Sequence, residues 1–296
     1  MPFLHSLPGG PFTMDTRRSK SNLLLEAHRS TMKCNRVLLL LLIFIAFWQC
    51  TPLVNRIAFD PDRTDYGRQL LKQLGGRQIR LHQAGGVVLD GCYLPNPESR
   101  VLFIYFRGQG RNYSRYLEKL AEWRDMGAGV FTFDYRGYGR SSGSPSESVC
   151  YADADLAFTY AVDSLGFRPE DIVVVGRSLG TAFATFVSQN REIRGLVLIQ
   201  PLTNARMYAR YHAPDFTAWF VGAAFDNIGR MSTIVAPLVV IHGTEDSVIP
   251  VHMGIEIYQA CRSPKSLITV QGADHEGLDP LGSPEARDAV AGLIGP

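Results

Sequence analysis

Two stretches of the 296-residue chain read Gly-x-Ser-x-Gly: Gly139-Arg140-Ser141-Ser142-Gly143 and Gly176-Arg177-Ser178-Leu179-Gly180. A serine hydroxyl attacks a carbonyl carbon only when an imidazole takes its proton and a carboxylate holds that imidazole in the useful tautomer. The spacing alone is a weak signal, so the flanking residues decide between the two copies. Ser178 follows Ile172-Val173-Val174-Val175-Gly176 and precedes Thr181 to Val187, a strand pattern and then a helix pattern. At such a sharp turn the glycines relieve backbone crowding, and the new helix aims its N–H groups at developing negative charge. Ser141 sits among Gly, Ser and Pro145 with no helix directly after it, which is loop chemistry. Ser178 is the candidate nucleophile; Ser141 is not.

A base and an acid must lie downstream. Of the seven histidines, His5 and His28 precede the folded body, His82 falls in a first hairpin, and His212 and His252 fall in helical or lid segments. His242 ends a strand pattern. His275 follows the last strand in the loop Gly272-Ala273-Asp274-His275-Glu276-Gly277 and is the candidate base. The acid is expected after the strand before it, where Ile241-His242-Gly243-Thr244-Glu245-Asp246 offers two carboxylates. Nucleophile, acid and base then occur in the chain order that this type of turn requires. The oxyanion would be met by the backbone N–H of Leu179 and by one from Arg107-Gly108-Gln109-Gly110, with Gln109 preferred. Activity is expected to fall at acid pH, because a protonated imidazole cannot accept the serine proton.

Residues so far apart need a rigid scaffold. From about residue 77, short β-branched or aromatic runs alternate with helical patterns, which predicts one α/β domain with a mostly parallel sheet covered on both faces. Strands are expected at 78–83, 87–94, 101–106, 129–134, 172–176, 195–200, 237–242 and 266–271, and helices at 113–126, 148–165, 179–190, 250–262 and 284–294. The first two strands, with Gly85-Gly86 between them, read as an antiparallel hairpin. Residues 202–236 form a long connection bearing Tyr208, Tyr211, Phe216, Trp219, Phe220 and Phe225. A connection that long is read as a lid, the alternative being aromatics that pack a crossover helix on the sheet.

Composition narrows the partners. At 46% hydrophobic and 20% charged, most of the chain must fold. Residues 1–50 carry six Lys or Arg against Asp15 and Glu26, so the rest of a chain with 30 basic and 28 acidic residues is slightly acidic, which argues against nucleic acid. Cys34, Cys50, Cys92, Cys150 and Cys261 form no C-x-x-C pair, so neither a disulfide framework nor a structural metal is expected. Gly108-Gln109-Gly110 lacks the third glycine of a dinucleotide loop, and no cofactor is expected. Val37 to Trp48 is an unbroken apolar run preceded by Lys33 and Arg36, with no charge until Arg56. That pattern suits a signal segment or an anchor spanning 37–55, with the body exported. The chain thus divides into an extension at 1–36, the membrane segment at 37–55, a linker at 56–76 and the folded domain at 77–296.

Across roughly 75–290 the sequence resembles the α/β-hydrolase superfamily, especially its membrane-associated ABHD-like and bacterial lipoprotein branch. The resemblance rests on Gly176-x-Ser178-x-Gly180, on Phe133-Asp134-Tyr135-Arg136-Gly137-Tyr138-Gly139 continuing through Ser142, Gly143, Pro145, Ser146 and Glu147, on His242-Gly243-x-x-Asp246 ending at Pro250, and on Gly272-x-Asp274-His275. It implies the α/β-hydrolase fold, favours Asp246 over Glu245, and implies hydrolysis of an ester, thioester or amide through an acyl-enzyme without metal or cofactor. Arg107 departs from the family, whose oxyanion loop usually begins His-Gly. Met32-Lys33-Cys34-Asn35-Arg36 and the apolar run resemble a bacterial lipoprotein signal with Cys50 as the lipidated residue, although Trp48 and Gln49 stand where that pattern has small residues. The expected function is a serine esterase or thioesterase acting on a small-molecule or lipid acyl substrate at a membrane surface. A peptidase or amidase of the same fold is the alternative, and so is a ligand-binding protein without turnover. The oligomeric state is not readable.

Overall fold

The computed structural model describes residues 54–214, 218 and 221–295, all within the compact unit Cys50–Pro296. Its sheet opens with β1 (Arg77–His82) and β2 (Val88–Leu94), antiparallel around a turn in which Gly85 and Gly86 both take positive φ. Glycine adopts that conformation without a β-carbon clash. Then follow β3 (Leu102–Phe106), β4 (Gly129–Phe133), β5 (Ile172–Arg177), β6 (Gly195–Ile199), β7 (Leu238–Gly243) and β8 (Lys265–Val270). The eight strands lie in the order β1-β2-β4-β3-β5-β6-β7-β8. β2 runs antiparallel to β4, and from β4 to β8 every pair is parallel.

Sequence explains the layering. Every residue of β3, β4, β6 and β7 is buried, because helices cover both faces, and the strands accordingly read as unbroken apolar runs. Alternate side chains feed two cores. Ile104, Phe131, Val174, Leu198 and Val240 face α3 (Glu147–Asp163), α4 (Gly180–Ser188) and α7 (Val251–Ala260). Phe103, Val130, Val175, Val197 and Ile241 face α1 (Gln69–Gln73), α2 (Leu117–Arg124) and α8 (Pro284–Ile294). Each such side chain contributes roughly 1.5–3 kcal/mol by leaving water. The edge strand β8 differs from the expectation of full burial: its residues are only exposed or half-buried, since no strand lies beyond it.

The connection from β6 to β7 carries α5 (Ala205–His212), capped by the Asn204 side chain on Met207 N–H, and α6 (Asn227–Arg230), capped by Asp226. Its aromatic residues divide. Phe225 is 2% exposed and packs on Phe59 and Phe183, whereas Tyr211 is 53% exposed. Phe216, Trp219 and Phe220 lie outside the described residues, as do Cys50 and the apolar run 37–48. Among the described residues no helix is long and apolar enough to cross a membrane.

Parallel strands end at one edge of the sheet, and the loops leaving the carboxyl ends of β3, β5, β6, β7 and β8 therefore meet there.

Candidate active site

β5 delivers Ser178 in one step. Its φ is +52°, left-handed backbone that costs a non-glycine residue about 1–2 kcal/mol. The surroundings hold it there. Ser178 N–H extends the sheet ladder to Ile199 O (2.9 Å), and its carbonyl oxygen accepts from Thr181 N–H (3.0 Å) and Thr181 Oγ1 (2.6 Å). The two glycines of the motif permit close approach: a β-carbon at Gly176 would come within 2.7 Å of Ala184 Cβ and Thr181 Cα, and one at Gly180 would collide with the Phe106 carbonyl oxygen.

His275, on the loop after β8, lies 97 residues along the chain, with Nε2 3.0 Å from Ser178 Oγ. Its Nδ1 is 2.7 Å from Asp246 Oδ2. A carboxylate there can only accept, so Nδ1 carries the proton and Nε2 is left to accept from the serine hydroxyl. Arg177 Nη2 donates to His275 O (2.8 Å), which ties the loop after β8 to the end of β5.

Asp246 is fully engaged. Oδ1 accepts from Val248 N–H (2.9 Å) and Ile249 N–H (2.7 Å), and Oδ2 from His275 and from Gln200 Nε2 (2.8 Å). Burial alone would raise its pKa, but His242, His275 and the Ile249 N–H outweigh it and hold the carboxyl well below the usual range. His242 Nε2 reaches Asp246 Oδ2 at 3.5 Å and the Ile249 carbonyl at 2.7 Å, so its hydrogen bond belongs chiefly to that carbonyl. Glu245, the other acid considered, is exposed and uses its backbone N–H on Ala273 O.

Of the two oxyanion candidates, neither Leu179 N–H nor Gln109 N–H donates to a group among the described residues. The loop after β3 runs beside the serine: a β-carbon at Gly108 would sit 3.5 Å from Ser178 Cβ. Ser141, by contrast, is wholly buried; its Oγ donates to Asp134 O (2.7 Å) and accepts from Asp90 N–H (2.9 Å). His82 and His252 are exposed, and His212 Nε2 meets Val248 O at 2.7 Å. Among the described residues no group of three or more His, Cys, Asp or Glu side chains could hold a metal ion.

The serine aminopeptidase S33 family matches residues 97–229, a span that includes Ser178 and stops before Asp246 and His275. Alpha/beta hydrolase domain-containing protein 17B of Xenopus laevis is 37% identical over 153 residues, covering 52% of this chain and 52% of the relative. The human 17B protein is 35% identical over the same length and shares. The chain thus spans about half the length of the curated relatives it matches. The esterase Pf2001 of Pyrococcus furiosus shares the fold at a TM-score of 0.64 and 20% identity, covering 79% of this chain and 98% of that one. An α/β hydrolase of Vibrio vulnificus does so at 0.64 and 19%, covering 78% and 87%. The chain has the α/β-hydrolase fold and over about half its length is similar to ABHD-type proteins.

One residue of this site, Gln200, escaped the sequence reading, and so did the supporting role of His242, which that reading weighed as a base and as part of the acid motif. Gln200, buried at the carboxyl end of β6 with φ +51°, donates from Nε2 both to Asp246 Oδ2 and to Asp274 O (3.0 Å), tying the acid loop to the base loop. His242 props the same acid loop through Ile249. The available signal was position: each is a polar residue closing an apolar run at the edge where the candidate loops gather.

Proposed function

We propose that the protein is a serine hydrolase that cleaves acyl esters or thioesters through an acyl-enzyme. The observation that carries this reading is the continuous contact Ser178 Oγ–His275 Nε2 (3.0 Å) and His275 Nδ1–Asp246 Oδ2 (2.7 Å), beside two backbone N–H groups that engage no partner among the described residues. Ser178 Oγ attacks the substrate carbonyl as His275 Nε2 takes its proton, and Asp246 steadies the imidazolium. Leu179 and Gln109 N–H meet the oxyanion, each worth about 2.7–4 kcal/mol in the barrier. His275 returns the proton to the leaving alcohol or thiol, the ester bond breaks, and water repeats the cycle on the acyl-serine.

Tyr211 and Val248, 53% and 39% exposed, stand with Tyr208 beside the acid loop and offer an acyl chain apolar contact. The uncharged run 37–55 supports a tether that keeps the site near a membrane, tested by whether the full chain sediments with membranes and loses that property when Val37–Trp48 is removed. The match to the serine aminopeptidase family favours a second reading, cleavage of an amide or peptide. Turnover of a graded series of acyl esters against aminoacyl anilides separates the two. Ester turnover that depends on acyl length and vanishes in Ser178→Ala is the expected result; a preference for anilides transfers the assignment to the peptidase reading.

A further inference from the structure

Every carbonyl oxygen of the loop 107–110 is held by a hydrogen bond from a buried cluster that has no part in the steps above. Tyr135 Oη donates to Arg107 O (2.7 Å) and Tyr138 Oη to Gln109 O (2.7 Å). Arg107 Nη1 turns back on its own loop and donates to Gly108 O (3.4 Å) and Gly110 O (3.3 Å). The Arg107 guanidinium is 2% exposed as a residue, lies 4.8 and 4.6 Å from the ring centres of Tyr135 and Tyr138, and meets Asp134 Oδ1 through Nε at 3.3 Å. Asp134 is fixed in turn by Tyr113 N–H (2.7 Å) and by Arg68 (3.7 Å). Tyr138 Oη also accepts from Asp60 N–H (2.7 Å), so its hydroxyl proton is committed to Gln109.

We infer that Arg107, Tyr135 and Tyr138 are positioning residues that orient the oxyanion loop. A trans peptide unit points its C=O and the following N–H in opposite directions, and the described chain holds no cis peptide. Clamping Gly108 O on Arg107 therefore turns Gln109 N–H away from the cluster, and clamping Gln109 O on Tyr138 does the same for Gly110 N–H. The loop lies against Ser178, where a β-carbon on Gly108 would sit 3.5 Å from Ser178 Cβ, and on this inference the freed donors serve a carbonyl held at Ser178. This also gives a purpose to the departure at position 107. A planar guanidinium serves two loop carbonyls and one carboxylate together, which neither an imidazole nor an ammonium ion can match in a fixed plane. The two tyrosines come from Phe133-Asp134-Tyr135-Arg136-Gly137-Tyr138, a segment that contributes no group to the proton relay.

The inference rests on the serine-hydrolase reading, and the test separates the two. Ester hydrolysis by the full chain is measured for wild type, Tyr138→Phe, Tyr135→Phe and Arg107→Lys, each with an oxygen ester and the matching thionoester, whose sulfur profits little from donors placed for oxygen. Removing an oxyanion donor outright costs about 10²–10³ in kcat, and a misaimed one should cost about tenfold. The expected result for the phenylalanine variants is a kcat for the oxygen ester about tenfold lower, KM within twofold, and an oxygen-to-sulfur rate ratio that narrows by a similar factor. Arg107→Lys should narrow the ratio further. Folded variants with the wild-type ratio overturn the inference, even if their kcat has fallen, because a merely structural loss slows both substrates alike. A wild type with no Ser178-dependent ester turnover overturns the parent reading instead.

Discussion

At Asp246 four donors share two oxygens, and Gln200 is the one that belongs neither to the acid loop nor to the base. Gln200→Leu removes that donor and frees Asp274 O, so the imidazole loses its fixed angle toward Ser178. The expected effect is about a tenfold fall in kcat/KM, about 1.4 kcal/mol of transition-state stabilisation, with KM little changed in steady-state assays. Gly180 is constrained differently. Gly180→Ala forces a methyl group onto the Phe106 carbonyl oxygen at the point where the loop 107–110 begins, and should cost roughly 1–3 kcal/mol or more in stability, read by denaturant unfolding. Asp246 also sets a pH dependence. Its folded-state pKa is depressed below the unfolded value of about 4, so the stability it brings is present above that value and lost as pH falls through and below it. The gap in melting temperature between wild type and Asp246→Asn should therefore be widest near neutrality and close in strong acid; a gap that widens on acidification would contradict the assignment.

Among the elements, the strands were legible because burial on both faces leaves a residue-level mark. Leu102–Phe106 starts one residue after the expected 101–106, and Leu238–Gly243 is the expected 237–242 shifted by one residue at each end. Helix boundaries blurred where the cue was weaker: the expected helix 113–126 is a short turn at Tyr113–Arg115 followed by Leu117–Arg124. The connection 202–236 was legible as an interruption but not in its inner division, because an aromatic side chain in the sequence looks the same whether it fills a core or faces water. Phe225 and Tyr211 make that division measurable. Phe225→Ala empties a site between Phe59 and Phe183 and should destabilise the fold by about 3–5 kcal/mol in chemical denaturation. Tyr211→Ala should stay within about 0.5 kcal/mol of wild type, as surface substitutions do, while altering the dependence of turnover on acyl length.

For the molecule as a whole, a sheet whose parallel strands end at one edge converts chain distance into proximity. It brings Ser178 to a histidine 97 residues away and that histidine to an acid 29 residues before it. The three residues could be nominated from sequence because each follows an apolar run with a distinctive turn. The choice of Asp246 over Glu245 needed a resemblance, and the geometry gives its reason: one faces inward onto His275 while its neighbour is exposed. The roles of Gln200 and of the cluster around Arg107 were not legible, since position and motif mark such residues without encoding the contacts they make. The most direct test of the central claim is the site of modification when the full chain meets a fluorophosphonate probe. Peptide mapping should find one adduct, on Ser178, absent from Ser178→Ala and formed at least about 100-fold more slowly in His275→Ala; an unmodified wild type, or an adduct on another serine with Ser178 untouched, would contradict it.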